Sequence, residues 1–177
     1  MTQYPDWAFF PRHSATPEWV LEFNDSVRKS RSLIESALHE RFDSDQVLGV
    51  LREPLVNHGW LIEAGKKAAD KISRPVLYGD RGITKVNYEI DGWHPMHKAV
   101  LEIESGRGWQ GNAFYRDLVR TSLVQEAEYL VIGLRLSYSY ASVKHQNDYQ
   151  KALDQMDAIF ASGRLQLPFK GVHIFGW

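Results

Sequence analysis

Apolar residues in the first quarter of the chain recur at the spacing of a helix. The segment TPEWVLEFNDSVRKSRSLIESALHERF opens with Thr16 as a cap and Pro17 at the first helical position, and it predicts one long amphipathic helix over residues 16–42. A second, shorter helix is predicted to begin at Ser44 and to end before Pro54. The run GWLIEA, residues 59–64, has the length and composition of a short strand. The apolar stripe of the first helix comprises Trp19, Phe23, Val27, Ile34, Ala37 and Leu38.

The middle of the chain is rich in β-branched and aromatic residues. Residues 83–91, ITKVNYEID, and residues 98–105, KAVLEIES, predict two antiparallel strands joined by the turn GWHPMH. The preceding segment, residues 65–82, carries lysine and arginine side chains among turn-forming residues. We expect this segment to be an exposed basic loop or hairpin.

A crossover connection is predicted in the second half of the chain. Residues 111–128 have helical periodicity, and residues 129–137, YLVIGLRLS, form a near-continuous apolar run typical of a buried central strand. A further helix begins after the cap Asn147 and stops at Gly163, and residues 171–177, GVHIFGW, supply a last strand. The predicted order is α, α, β, β, β, α, β, α, β, which is an α/β fold with a mixed central β-sheet flanked by helices.

Composition limits the classes of protein to consider. A chain of 177 residues with 44% hydrophobic content is long enough to bury a core, and we expect a single domain over residues 1–177. The chain has no cysteine, which excludes disulfides and thiolate metal sites, and its formal net charge of −1 gives no overall basic excess for a nucleic acid. Neither a signal peptide nor an apolar run of membrane-spanning length is present, so we expect a soluble, cytoplasmic protein without a membrane partner.

Acidic side chains are gathered at the two predicted middle strands. Because alternate side chains of a strand share a face, Glu102 and Glu104 project together, as do Glu89 and Asp91, and a hairpin brings both pairs into one cluster. Converging carboxylates repel one another unless a proton or a cation lies between them, and hard oxygen ligands suit Mg²⁺ or Mn²⁺. Such an ion favours in-line displacement at phosphorus, so the cluster indicates phosphodiester hydrolysis.

The acidic residues also carry a family resemblance. Asp91 at a strand end is followed, 11 residues later, by the triplet Glu102-Ile103-Glu104 in the next strand, between an amino-terminal helix and a strand, helix, strand return. This arrangement resembles the PD-(D/E)XK nuclease superfamily, and it is most similar to the BglII and BamHI group of type II restriction endonucleases. The sequence departs from the common motif at Ile90, where many members have Pro, and at Glu104, where many have Lys. The chain is also short for elaborate base-reading loops.

The resemblance implies a fold, an activity and roles for the motif residues. It implies a restriction-endonuclease-like core and a dimeric, Mg²⁺-dependent enzyme that cleaves DNA. Asp91 and Glu102 would bind the metal together with the carbonyl of Ile103, and Glu104 would orient or deprotonate the attacking water. A further acid from the first helix is expected, and Glu35 and Glu40 are both open as that residue.

Other residues are candidates for contact with a nucleic acid or a second subunit. The basic stretch from Lys66 to Arg81 would clamp a nucleic-acid backbone or form a solvated loop. His94 and His97 lie in the predicted turn and are interpreted as surface histidines outside the site. A dimer interface would use the aromatic segment YPDWAFF or the terminal HIFGW. The arginines placed for phosphate contact are Arg107, Arg116 and Arg120, and the tryptophans that would stack on bases or pack in the core are Trp93 and Trp109.

Three functional hypotheses follow from the sequence. The first is a metal-dependent nuclease acting on DNA. The second is a binding module or assembly subunit that keeps the nuclease fold without cleavage. The third, an enzyme for a small molecule that uses the same carboxylates, lacks a glycine-rich nucleotide loop or another cofactor motif. The choice between DNA and RNA, the recognition sequence and the oligomeric state are open.

Overall fold

The structure is a computed structural model that describes residues 4–105, 112–140 and 143–177. The helices are α1 Glu18–Lys29, α2 Arg31–Ile34, α3 Ser44–Val56, α4 Ala113–Ser122 and α5 Asp148–Ser162. The strands are β1 Asp6–Phe10, β2 Leu61–Ile62, β3 Ile72–Tyr78, β4 Thr84–Ile90, β5 Gly92–His94, β6 Ala99–Ile103, β7 Tyr129–Leu134, β8 Tyr138–Tyr140, β9 Val143–Gln146 and β10 Gly171–Gly176. Short 3₁₀ turns lie at Ala68–Asp70 and Asp80–Gly82.

A six-stranded mixed sheet forms the centre of the molecule, in the order β1, β10, β7, β6, β5, β2. Strands β6, β7 and β10 are parallel to one another, whereas β1, β5 and β2 join antiparallel. Helix α4 connects β6 to the parallel strand β7, so the predicted crossover is confirmed. Strands β3 and β4 pair only with each other and form a separate two-stranded ribbon, as do β8 and β9.

Helices cover both faces of the sheet, as an α/β fold requires. On one face, α1 and α3 pack against the sheet through buried residues such as Phe23 and Leu51. On the other face, α4 and α5 pack through buried residues such as Leu118 and Met156. Strand β7 alternates between these two layers, which explains why its sequence is apolar without interruption.

The first predicted helix is shorter than its periodicity indicates. It begins at Glu18, with Pro17 as the N-cap, and ends at Lys29, so the assignment of Thr16 as the cap is wrong. The Ser30 hydroxyl donates to the Ser26 carbonyl at 3.0 Å, and Ser30 leaves helical geometry at φ −88° and ψ 1°. Only the single turn of α2 follows, and residues 35–43 form turns instead of helix.

Buried Arg135 accounts for the conformation of residues 35–43. Its guanidinium donates to the Glu40 carbonyl at 2.6 Å and to the Phe42 carbonyl, and it stacks on the ring of Trp177. Carbonyls that accept from Arg135 in this way are turned away from the continuous ladder of a helix. The helical periodicity of residues 31–42 is therefore overridden by a contact with Arg135, the residue after β7.

Helix α3 begins at Ser44 as predicted, and its capping is complete. The Asp43 carboxylate accepts from the Gln46 backbone, and the Gln46 side chain accepts from the Asp43 backbone. The prediction that this helix ends before Pro54 is wrong, because α3 continues to Val56 with Pro54 inside it. Asn57 N–H donates to the Glu53 carbonyl at 3.1 Å, so the last turn closes around the proline.

The strand pairing in the middle of the chain differs from the prediction. Residues 84–90 and 99–103 are strands, but β4 pairs with β3 in the ribbon, and β5 is the antiparallel partner of β6. Asp91 separates β4 from β5, and the residues expected in a turn therefore include a strand. Residues 72–78, expected in a loop or hairpin, are the first strand of the ribbon. Strands β1, β8 and β9 were not predicted.

The remaining predicted elements are present. Strand β2 lies within the predicted residues 59–64, and β7 and β10 lie within theirs. Helix α4 ends at Ser122, six residues before the predicted end. Helix α5 has the predicted caps, since the Asn147 side chain accepts from Gln150 N–H at 2.9 Å and Gly163 has a φ of 60°. Among the described residues, no helix is long and apolar enough to cross a membrane.

Candidate active site

An acidic depression of about 330 Å³, which we call the acid cavity, lies at the edge of the sheet where β6 ends. Its walls come from the end of β6, the bend between β4 and β5, the residue after β2, and one face of α4. The acidic residues that line it are Glu63, Glu89, Asp91, Glu102, Glu104 and Asp117, and the basic residues are Lys71, Arg116 and Arg120. The three predicted catalytic acids, Asp91, Glu102 and Glu104, are therefore brought together.

Asp91 is held by backbone contacts on both sides of the bend. Its Oδ2 accepts from the Ile103 N–H at 2.8 Å, and its carbonyl accepts from the Glu63 N–H at 2.8 Å. These bonds fix the end of β6 and the residue after β2 relative to the bend. Glu102, one residue before Ile103, is buried in β6 opposite Ile132 of β7.

Glu104 faces α4 just beyond the end of β6. Its N–H donates to the Gly133 carbonyl at 2.9 Å, which continues the pairing with β7. Its carboxylate accepts from Arg116 at 2.6 Å, and the same guanidinium donates to Asp117 at 3.0 Å. Arg116 thus lies between two acids from different elements, and its pKa is raised, chiefly by the hydrogen bond to Asp117.

Burial and mutual repulsion raise the pKa values of the three predicted acids. The pKa of Asp91 rises to about 7, mainly because the carboxyl is desolvated and then because Glu63 and Asp117 are close. The pKa of Glu104 rises to about 8, through desolvation and then through Asp117. Desolvation, followed by the charges of Asp91 and Asp117, holds the pKa of Glu102 well above its ordinary value. The cluster therefore favours a bound proton or cation at neutral pH.

Glu63 and Lys71 form an ion pair within the same cavity, a position that the sequence analysis did not predict for either residue. Lys71 Nζ lies 2.5 Å from Glu63 Oε1, and the Glu63 side chain is almost fully buried. The hydrogen bond to Glu63 is the main cause of the raised pKa of Lys71. Arg52 of α3 donates to the Glu63 carbonyl at 2.7 Å, which fixes the backbone of this acid from the other side.

Asp117 was also missed, although the sequence contains a signal for it. It lies three residues after Phe114 and one before Leu118, on the buried face of α4, and is only 1% exposed. A charged residue on the apolar stripe of a helix is expected only where ion-pair or hydrogen-bond partners are present in the core. That position distinguishes Asp117 from the exposed charges of the same helix.

The donor chemistry of the acid cavity fits a hard divalent cation, but its side chains are not arranged as a ready ligand set. Carboxylate oxygens are the ligands that Mg²⁺ and Mn²⁺ take in proteins. In the part of the chain that the structure describes, however, no three acidic or histidine side chains are placed to hold one metal ion. Asp91 is engaged by the Ile103 N–H and Glu104 by Arg116. Both carboxylates would have to turn toward an ion.

Neither candidate for the additional acid lies at the cavity. Glu35 follows α2 and pairs with Arg31 at 2.8 Å. Glu40 is exposed, and its carbonyl accepts from Arg135. Because the first helix ends at Lys29, neither residue has the helical position that was expected, and the additional acids of the cavity are Glu63, Glu89 and Asp117.

The candidate arginines and histidines have defined partners. Arg120 lines the cavity and donates to the Glu89 carbonyl at 3.1 Å, while Arg116 pairs with acids. His94 is buried, so its interpretation as a surface histidine is wrong. Its Nδ1 accepts from the His97 N–H, and its Nε2 lies 2.9 Å from the His58 carbonyl oxygen. His94 therefore has a structural role.

Trp93 packs in the core and not on the surface. It is buried on the face covered by α4, and the Arg74 guanidinium lies 4.3 Å from its ring centre. A base cannot stack on this ring in the folded protein. The predicted candidates Arg107 and Trp109 lie outside the described residues.

Comparison with known proteins identifies a fold but no sequence family. No family model matches the chain, and no curated protein matches it in sequence. Among solved structures, the chain is similar to restriction endonuclease BglII complexed with a DNA 16-mer, with a TM-score of 0.55 and 14% identity. The match covers 97% of this chain and 77% of that chain. The chain thus has a restriction-endonuclease-like fold.

Proposed function

We propose that the protein is a Mg²⁺- or Mn²⁺-dependent endonuclease that hydrolyses phosphodiester bonds of DNA in the acid cavity. The observation that carries this proposal is the convergence of Asp91, Glu102 and Glu104, with raised pKa values, at one edge of the sheet. The similarity of fold to an endonuclease whose structure contains DNA supports this polymer as the substrate. The assignment to the PD-(D/E)XK superfamily belongs to the same proposal.

Each predicted acid has a distinct role in this proposal. Asp91 and Glu102, with the carbonyl of Ile103, would hold the divalent ion. The ion would supply positive charge at the phosphate and lower the pKa of the attacking water. Glu104 would orient that water and accept its proton, and a pKa of about 8 makes it an effective base at slightly alkaline pH.

Positive groups of the cavity would neutralise the charge that develops on the phosphate. Lys71 is held by Glu63, and Arg120 reaches the cavity from α4. These cations come from different elements, so they approach a phosphate from different directions. A positive charge that is already held beside the phosphate stabilises the transition state without the cost of reorganising around it.

A cleavage assay tests the proposal. We expect supercoiled plasmid and linear duplex to be cut with Mg²⁺ or Mn²⁺, and cleavage to be abolished by a chelator and by Glu102→Gln. RNA should be tested beside DNA because the net charge of −1 does not distinguish the two. Glu53→Gln is the matched control, since Glu53 is exposed on α3 away from the cavity lining. A folded sample that cuts no substrate with either ion would contradict the nuclease proposal.

Calorimetry tests the ion directly. We expect Mn²⁺ to bind the wild-type protein, and binding to be lost in Asp91→Asn, because that change removes one carboxylate ligand while an amide oxygen still accepts from the Ile103 N–H. Undiminished binding in the variant would place the ion elsewhere.

A second candidate function is a nuclease-fold subunit that binds nucleic acid or assembles with other proteins without cleavage. It is favoured by one observation, that no three described acids are placed as a ligand set. Binding of duplex DNA without cleavage, and without calorimetric binding of either ion, would support this alternative over the nuclease.

A further inference from the structure

The distal half of the β3–β4 ribbon is exposed along its whole length. Residues 77–85, which comprise the end of β3, the turn and the start of β4, are all exposed. Only the proximal half packs against the core, through residues such as Ile72, Val76 and Tyr88. The distal half is thus a two-stranded element whose side chains contact solvent on both faces.

The exposed half carries apolar and basic side chains together. Leu77 and Tyr78 are each 49% exposed and Ile83 is 68% exposed. Arg81 and Lys85 lie beside them, and neither forms an ion pair with any residue that the structure describes. Large apolar side chains in such a group on a soluble surface indicate a contact site.

The charge of the ribbon differs in sign from that of the chain. The ribbon, residues 72–90, contains three basic and two acidic residues, a net charge of +1, whereas the whole chain has a net charge of −1. The other residues therefore carry −2. A positive segment on an otherwise acidic protein is complementary to a polyanion.

The base of the ribbon is fixed next to the acid cavity. Lys71 and Glu89, at the proximal ends of the two strands, line the cavity. The Glu89 carbonyl accepts from Arg120, and the Val76 carbonyl accepts from Gln125 at 3.2 Å. Arg74 pairs with Glu126 at the same level. A ligand in the cavity and a ligand along the ribbon would therefore be held in a constant relative position.

We propose that residues 77–85 lie in the major groove of the duplex whose backbone occupies the acid cavity. The major groove, about 12 Å wide, admits a two-stranded ribbon. With a rise of about 3.4 Å per residue, the six residue steps from Glu89 to Ile83 span about 20 Å, or about six base pairs of DNA. Arg81 and Lys85 contact phosphates of the groove walls, and Ile83 contacts base edges such as thymine methyl groups. This inference rests on the proposed function.

A protein partner is the competing occupant of the same surface. The apolar side chains suit both occupants, but unpaired cations on a ribbon that begins at the proposed cleavage site suit DNA. The two occupants differ in salt dependence. Each phosphate contact contributes about 0.9 to the slope of log affinity against log salt concentration, whereas an apolar contact leaves that slope unchanged.

The test is the affinity of the full chain for a fluorescent duplex in the presence of EDTA, where no cleavage occurs, at several salt concentrations. We expect Arg81→Asn combined with Lys85→Gln to weaken binding at least tenfold and to lower the salt slope by about 2. Asn is used because Arg81 has a φ of 58°, a conformation that Asn tolerates. Ile83→Ser should weaken binding about fivefold with the slope unchanged, and circular dichroism confirms folding.

The control is the charge-matched pair Arg12→Gln and Arg164→Gln. Both arginines are exposed and neither lines the acid cavity. Arg12 follows β1 and pairs with Asp157 of α5, and Arg164 follows α5 and lines a separate depression with Tyr115. This variant should bind like the wild type.

Ribbon variants that also bind and cut DNA like the wild type would overturn the inference and leave the nuclease proposal standing. Wild-type protein that is folded but binds no duplex would overturn both. Loss of self-association in Ile83→Ser, with DNA affinity unchanged, would assign the ribbon to a protein partner instead.

Discussion

At the scale of single residues, the acid cavity couples stability to pH. Asp91 and Glu104 have folded-state pKa values of about 7 and about 8, above their ordinary values of 3.8 and 4.5. The folded protein thus keeps protons that the unfolded chain has released, so its free energy of unfolding falls as pH rises through this window. We expect a fall on the order of 2 kcal/mol between pH 6.5 and 8 without metal.

Urea unfolding in EDTA measures this dependence. The measurement begins at pH 6.5 because of the buried His173, whose pKa is lowered to about 3 by desolvation. Below pH 6.5 the unfolded chain binds a proton at this histidine that the folded protein does not, so His173 makes the free energy of unfolding rise with pH. Asp91→Asn should reduce the fall, and saturating Mg²⁺ should reverse it because the ion binds the ionised carboxylates. An equal fall in wild type and variant would assign the pH dependence to other groups.

Gly133 of β7 lies between the Phe175 ring and the backbone of Glu104, one of the residues that line the acid cavity. A Cβ at this position would lie 2.5 Å from the Phe175 ring, and the Gly133 carbonyl accepts from the Glu104 N–H. We expect Gly133→Ala to lower the free energy of unfolding by about 1 to 3 kcal/mol through overpacking. Gly49→Ala is the control, since nothing lies within 4 Å of its Cβ in α3 and the change should stabilise by up to about 1 kcal/mol. Denaturant unfolding measures both changes, and equal effects would contradict the packing argument.

The sequence predicted part of the cavity and could not predict the rest. Strand parity places Glu102 with Glu104 and Asp91 with Glu89, and the family resemblance singles out Asp91, Glu102 and Glu104. Glu63 and Lys71 were missed because they meet Asp91 only through pairing of β2 with β5 and of β3 with β4, contacts that no local pattern encodes. Asp117 could have been found from its position on an apolar stripe.

At the scale of elements, α3 depends on its first turn. The Asp43 carboxylate accepts from the Gln46 N–H at 2.9 Å, and Ser44, the next residue, lines the acid cavity. We expect Asp43→Ala to lower the free energy of unfolding by about 1 kcal/mol, because an N-cap acceptor is removed. Asp43→Asn keeps the acceptor and should change stability little. Thermal unfolding of the two variants measures the difference, and equal losses would show that charge matters more than the cap.

Elements with local signals were predicted, and elements set by distant contacts were not. The capped helix α5 and the apolar strand β7 follow from their own sequences. The break of the first helix depends on Arg135, more than 90 residues away, whose guanidinium binds carbonyls of the turn. The pairing of β4 with β3 instead of β6 was likewise undetermined, because alternation along a strand does not specify its partner.

At the scale of the whole molecule, the fold limits where a second copy can bind. The terminal segment HIFGW is buried in β10 and the residue after it, so it cannot supply the predicted dimer interface. Strand β1 is an edge of the sheet, and the side chain of Trp7 is exposed there. Most of the segment YPDWAFF is buried as well, so if the proposed homodimer forms, Trp7 on the edge strand is the side chain left from the sequence prediction to contact a second copy.

Light scattering over a range of concentrations tests this surface. We expect a dimer mass for the wild type and a shift toward the monomer for Trp7→Glu, because a charge would be placed in an apolar contact. Leu61→Glu is the control, since Leu61 is exposed at the opposite edge strand, β2. A monomer mass for the wild type at high concentration would remove the dimer from the proposal.

The helix, sheet, helix layers and the crossover connection could be predicted from the sequence. They follow from the alternation along the chain of continuous apolar segments, which form strands, with segments of helical periodicity. The ribbon as a separate sheet could not be predicted, and neither could the edge position of β1. Both depend on which strands pair, and that pairing is determined by packing between side chains that are distant in sequence. The single-domain prediction stays a prediction.

The chain passes from the ribbon into the central sheet with no loop between them. Strand β4 ends at Ile90, Asp91 follows, and β5 begins at Gly92. On the two proposals above, a duplex that fits the ribbon poorly would tilt β4, and no flexible segment would absorb the tilt before Asp91. The protein would then discriminate between duplex sequences more by its cleavage rate than by its binding affinity. Small displacements of reacting groups lower the rate by large factors. Single-turnover rates and equilibrium affinities, compared across a panel of duplex sequences, would show the rates varying over the wider range.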